Sequence, residues 1–231
     1  MSTPCAAGNR PTGSGSSAFQ PLGGLVYFLT NLLPELINGP TARYAGKSVR
    51  QALDPTREYR EAKEACEDTP TVRNQSRLAA AASQLGRHAE AETLYRQAAS
   101  GVHADDPALL LGHANALVDL DRPEAAIAVL ERLGRDETRG RTAAAALALG
   151  RAYEAVGRIS EADTALQWAS QRLPGFEGLG RYAAFMARNG RRAEAQEAVA
   201  EMDKRLLKLK PQFRKEGRMW RDLAAEALAN G

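Results

Sequence analysis

The stretch VGRISEADTALQWAS, Val156 to Ser170, decides how this chain folds. A glycine that can end a helix is followed by an arginine, and then by an alanine-rich segment with apolar residues at helical spacing. The same grammar recurs in LGRHAEAETLYRQAA from Leu85, LDRPEAAIAVLERL from Leu120 and NGRRAEAQEAVAEM from Asn189. In each, a turn residue (Gly86, Asp121, Gly157, Gly190) precedes an arginine. A small residue stands five positions beyond the turn: Ala91, Ala126, Ala162, Ala195. Four further on comes Tyr95, Leu130, Leu166 or Val199. The turns are 35, 36 and 33 residues apart, close to the ~34-residue period of a helix-turn-helix repeat. From Val72 to Asn230 the pattern reads helix, short loop, helix, and no segment shows the two-residue alternation of a half-buried strand.

These residues resemble the tetratricopeptide repeat (TPR) family. The third unit matches best, with Leu149, Gly150, Tyr153, Gly157, Ala162, Ala169 and Pro174 at the expected offsets. In the other units Ala79, Ala114 and Ala183 replace the small glycine, and Ala82, Leu117 and Met186 replace the usual aromatic. No unit has the family's early tryptophan. The resemblance covers roughly residues 72 to 205. It implies an all-α fold: a right-handed superhelical array of about four TPR units, with a carboxy-terminal capping helix and an amino-terminal hydrophobic helix.

The expected organisation is a Gly/Ser/Pro-rich tail over 1–20, a hydrophobic helix over 21–38, a basic linker and helix over 39–71, the array over 72–205 and a basic capping helix over 206–231. Asp54 can cap the helix REYREAKEACED with Pro55 at its first position. In the last segment Phe213 and Trp220 share a helical face with Leu209, Ala224 and Leu228, which suits packing against the fourth unit. The same two aromatics would also suit a ligand site.

Composition narrows the function. The chain has 231 residues, 44% of them hydrophobic, and a net charge of only +3, so its pI near 9 is a poor argument for nucleic acid. Two cysteines, Cys5 and Cys66, without metal-ligand spacing, favour a reducing compartment over a disulfide framework. His88, His103 and His113 lie on separate elements, there is no GxSxG elbow, and GSGSS lacks the lysine of a phosphate loop. The sequence therefore predicts no catalytic residue, no metal and no cofactor, and a non-enzymatic scaffold that binds other proteins.

Two surfaces are candidates for binding. As the TPR resemblance implies, the first helix of each unit lines a concave groove, which places Arg73, Ser76, Asn115, Asp119, Leu147, Arg151, Glu154 and Arg188 along it. Arg73, Asn115, Arg151 and Arg188 would suit a peptide carboxylate or acidic side chains, so an acidic protein or peptide partner is expected there. The second surface is a basic stripe of Lys204, Arg205, Lys208, Lys210, Arg214, Lys215, Arg218 and Arg221. Against it stand Asp203, Glu216 and Asp222, a local excess of five positive charges. It reads as a solvated face, a partner or membrane contact, or an alternative nucleic-acid surface.

The apolar run from Leu22 to Ile37 is 16 residues. As helix it spans about 24 Å, short of the roughly 30 Å hydrocarbon core. Arg43, Lys47, Arg50 and Arg57 follow it while Arg10 precedes it, a bias that keeps the repeats cytoplasmic. LPEL, the basic stretch, ALDP and REYREAKEA, followed by the repeats, are similar to a group of uncharacterised bacterial TPR proteins. Their hydrophobic region resembles the leader of cardiolipin synthase and phospholipase D-type enzymes. This similarity runs from about Leu22 to Leu53, with a Ser/Gly tail in place of an earlier hydrophobic helix, and none of the phospholipase chemistry travels with it. It implies association with the cytoplasmic face of the cell membrane; a soluble protein with the run as a cap, and a cleaved export signal, are the alternatives.

Overall fold

The computed structural model describes residues 54, 56–136 and 138–230. The tail at 1–20, the hydrophobic helix expected at 21–38 and the linker before Asp54 lie outside the described residues. Within them the chain is all-helical. The ten α-helices are α1 (Arg57–Asp68), α2 (Val72–Gln84), α3 (His88–Ala98), α4 (Pro107–Asp119), α5 (Pro123–Gly134), α6 (Ala143–Ala155), α7 (Ile159–Arg172), α8 (Glu177–Arg188), α9 (Arg192–Lys208) and α10 (Arg214–Asn230). Short 3-10 turns cover Gly101–His103 and Pro211–Phe213.

The helices start in two ways. α2, α4 and α6 begin on side-chain caps: Thr71 accepts from the Asn74 N–H, Asp106 from Ala108 and Leu109, and Thr142 from Ala145. Pro107 occupies the first turn of α4, where its missing N–H costs nothing. α3, α5, α7 and α9 lack such caps and start directly after the turn arginine. Each instead carries a glutamate in its first turn (Glu90, Glu124, Glu161, Glu194), which opposes the positive end of the helix dipole. α1 starts two residues later than the sequence suggests. Thr56 is its cap residue, and the Asp54 carboxylate accepts from the Thr56 N–H at 3.2 Å and hydroxyl at 2.9 Å.

The turns that join each pair are the same object four times. The arginine N–H donates to the carbonyl five residues back, in Arg87 to Ala82, Arg122 to Leu117, Arg158 to Tyr153 and Arg191 to Met186, at 2.8–2.9 Å. The preceding turn residue donates three back, as from Gly86 to Ser83. This double closure requires a left-handed residue between the helices. Gly86, Asp121, Gly157 and Gly190 supply it with φ of 73°, 57°, 77° and 79°.

Consecutive helices pack on one another along the whole described chain, and α2 also meets α4, α4 meets α6 and α8 meets α10. The seams are made largely of alanine. Ala91, Ala126, Ala162 and Ala195, the residues five beyond each turn, have no solvent exposure at all. Such small side chains let helix axes approach closely, but each contributes little buried area. The larger contributions, about 1.5–3 kcal/mol each, come from the scattered big residues Leu130, Leu166, Phe185 and Met202. The core is accordingly divided into four clusters. One joins α1 to α4 around Tyr59 and Leu78, two lie between α4 and α6, and the largest surrounds Phe185 and Met202 from α6 to α10.

α10 docks by its backbone. A Cβ placed on Gly180 of α8 would lie 2.7 Å from the Trp220 carbonyl oxygen, so α10 rests directly on a bare stretch of α8. Ala224 is fully buried there and Leu228 packs beside it, in keeping with the expected packing face. Phe213 does not join that face: the 3-10 turn rotates it away from helical register, and it is exposed.

Candidate functional site

The expected groove residues fall on the first helix of each pair, and several of them form a row of charge across it. Arg151 of α6 donates to Asp119 of α4 at 2.6 Å. Arg188 of α8 grips Glu154 of α6 side-on, donating from Nε and Nη2 to the two carboxylate oxygens at 2.8 and 2.9 Å. These bonds join residues 32 and 34 apart, so each ties one helix pair to the next. Arg73 is exposed and has no ion-pair partner among the described residues; Ser76 donates to the Arg73 carbonyl at 2.9 Å, and Asn115 is half-buried. Leu147 lies in the core cluster with Ala162 and Leu166.

The structure adds members to this row that sequence reasoning missed. Arg181 of α8 stacks 4.7 Å from the Trp220 ring centre and pairs with Glu177 at 2.9 Å. Its burial, and then the neighbouring Arg151 guanidinium, lower its pKa from the ordinary arginine value. At the other end, the buried Nδ1 of His88 lacks a hydrogen-bond partner and lies 3.5 Å from the second oxygen of Asp119. A signal for Arg181 did exist. Arg181 and Arg77 both stand two residues before the small residue of their helix, Ala183 and Ala79, and Arg77 bridges at 2.8 Å to Glu58 of the preceding helix.

The basic stripe divides into two kinds of cation. Arg221 is held by Asp203 at 2.9 and 3.1 Å, and Arg205 by Glu201 at 2.8 Å. Arg214 caps the end of α9, donating to the carbonyls of Leu209 at 2.8 Å and Leu207 at 3.2 Å. Lys204, Lys208, Lys210, Lys215 and Arg218 are exposed, and none has an ion-pair partner among the described residues. Between α9 and α10 lies an open cleft of about 400 Å³, with Leu206 and Leu207 on one wall and Arg214, Arg218 and Arg221 on the other.

The histidines stay apart from one another. His113 bonds Glu92 across α3 and α4 at 3.0 Å, and His103 sits exposed in a 3-10 turn. Burial opposes the charge on Glu92, but His113 and Arg96 outweigh it and hold its carboxyl below the usual range. Among the described residues no group of three or more His, Cys, Asp or Glu is placed to hold a metal ion, and no helix is long and apolar enough to cross a membrane. Compared with known families and with curated proteins, the sequence matches no family model and no curated protein.

Proposed function

We propose that this chain is a non-enzymatic adaptor, a right-handed superhelix of about four TPR units closed by α10, which holds a protein or peptide partner in the groove lined by α2, α4, α6 and α8. The observation that carries the reading is the row Asp119–Arg151, Glu154–Arg188 and Arg181. Arg151 and Arg188 lie on successive first helices, each held by a carboxylate of the preceding pair, and Arg181 is held by Glu177 of its own helix and by the Trp220 ring. A partner that presents carboxylates at similar spacing would exchange with Asp119 and Glu154 for the same forks, which gives such a site its preference for acidic segments. The adaptor is placed at the cytoplasmic face of the cell membrane by the run Leu22 to Ile37 and the basic residues after it.

The test is photocrosslinking of the full-length protein in its native host, with a photoreactive residue at Ser76 or Asn115 in first helices, or at Glu131 or Thr164 in second helices. One shared adduct is expected from the first pair and not from the second, and Arg151→Glu should reduce it at least tenfold. Equal adducts from all four positions, or indifference to Arg151→Glu, would sink the groove reading. For location, the full chain should resist alkaline extraction from membranes better than a chain lacking residues 1 to 40.

A further inference from the structure

The segment KRLLKLKPQFRKEGRM, Lys204 to Met219, carries seven basic residues and one acidic residue. It folds as a hairpin tip: the end of α9, the 3-10 turn and the start of α10, pinned shut by Arg214 on the carbonyls of Leu207 and Leu209. Two features meet there. The first is the set of unpaired cations Lys204, Lys208, Lys210, Lys215 and Arg218, since the carboxylates of Asp203 and Asp222 are taken up by Arg221 further along the cleft. The second is apolar exposure. Three of the six large hydrophobic residues that stand exposed among the described residues are here: Leu207 at 76%, Met219 at 54% and Phe213 at 47%.

The two sets interleave by helical spacing. Lys204 shares a face of α9 with Leu207 and Lys208, three and four residues on, and Lys215 shares a face of α10 with Arg218 and Met219. A nucleic acid would meet the cations but gain nothing from Leu207 and Met219, and it would want a row of aromatic rings for its bases. A folded acidic protein would favour planar arginine forks, whereas four of the five unpaired cations are lysines, compact charges suited to a diffuse negative potential. A membrane interface uses both sets at once: headgroup charge for the lysines and the acyl boundary for the apolar side chains.

We infer that the α9–α10 hairpin tip is a peripheral docking surface for anionic phospholipid membranes, with Leu207 and Met219 entering the interface and Lys204, Lys208, Lys210, Lys215 and Arg218 on the headgroups. This contact is independent of the groove and of the run Leu22 to Ile37.

The experiment is co-sedimentation of the full-length chain with vesicles of phosphatidylcholine alone, or with roughly one-third phosphatidylglycerol. The anionic vesicles should bind more tightly, with an advantage that shrinks as salt rises. Removing three cations with Lys204→Gln, Lys208→Gln and Lys215→Gln should weaken that binding on the order of a hundredfold, at roughly fivefold per cation. The same net charge change at Arg122, Arg135 and Arg141, also to Gln, should leave it within about twofold, because those residues flank α5, which packs on α4 and α6 and not on the hairpin. Leu207→Ser with Met219→Ser should weaken binding at low and high salt alike. All these side chains are exposed, so thermal melting should stay as in the parent and a loss of binding reads as a loss of contact. Equal losses from the two triple variants, no loss from the tip variants, or tighter binding to mixed-sequence oligonucleotides that the tip triple abolishes, would each overturn the inference.

Discussion

At the residue position that closes each helix pair, three turns use glycine and the second uses Asp121, which is left-handed at φ 57°. An L-residue there crowds its Cβ against the following carbonyl, at a cost of roughly 1–2 kcal/mol that aspartate only partly offsets. Asp121→Gly should therefore raise stability by about 0.5–1 kcal/mol, while Gly157→Ala, at φ 77°, should lower it by about 1–2 kcal/mol. Urea denaturation of the two single variants reads both signs in one experiment. The arginine after each turn was visible as a recurrence, but its reason was not. Arg87 stacks 4.4 Å from the ring centre of Tyr59, Arg158 4.4 Å from Tyr153 and Arg191 5.8 Å from Tyr182. Those tyrosines stand 28, 5 and 9 residues before their arginines, so no fixed spacing in the sequence announces the pairing. Arg87, Arg158 and Arg191 also bridge to Glu90, Glu161 and Glu194, where the three-residue spacing was open to inspection.

Among the elements, α10 combines side-chain ties, such as Arg221 to Asp203, with a close backbone approach. The bare backbone at Gly180 lets it lie on α8, with Arg181 over Trp220 beside the contact. Gly180→Ala should push the two helices apart and cost about 1–3 kcal/mol, as overpacking does. Gly134→Ala should instead stabilise by up to about 1 kcal/mol, since nothing lies within 4 Å of the Cβ it would add in α5. Thermal melting of both variants, with Trp220 fluorescence as a local probe of α10, distinguishes docking from general loss. The element pattern was legible because the turn residue, the arginine after it and the alanine five beyond the turn each leave a mark in a single short window. Phe213 escaped because a 3-10 turn shifts register by a fraction of a turn, which hydrophobic spacing does not resolve, and the start of α1 because the Asp54 carboxylate accepts from Thr56 instead of capping the helix. The row Asp119–Arg151 and Glu154–Arg188 escaped as pairs, although all four residues were singled out, because a rotamer and a distance between helices decide which oxygen a guanidinium meets.

Across the described residues the core clusters are local: one on α1 to α4, two side by side on α4 to α6, and one on α6 to α10. Stability is then a sum of units and seams, not one all-or-none block. A chain ended after Lys210 would uncover the α8 surface around Gly180. Its amide exchange should quicken by an order of magnitude or more in α8 and α9, while α2 to α4 keep the protection of the full chain. Uniform loss of protection across all helices would show that the seams do not isolate the clusters. The alanine seams have a mechanical meaning as well. Stiff blocks joined in series add their compliances, so a segment bound as proposed above would meet a rigid wall if it rested on one helix pair, and the summed give of every intervening seam if it spanned Asp119 to Arg188. The length of the bound segment, and not its chemistry alone, would then set how far this protein bends to hold it.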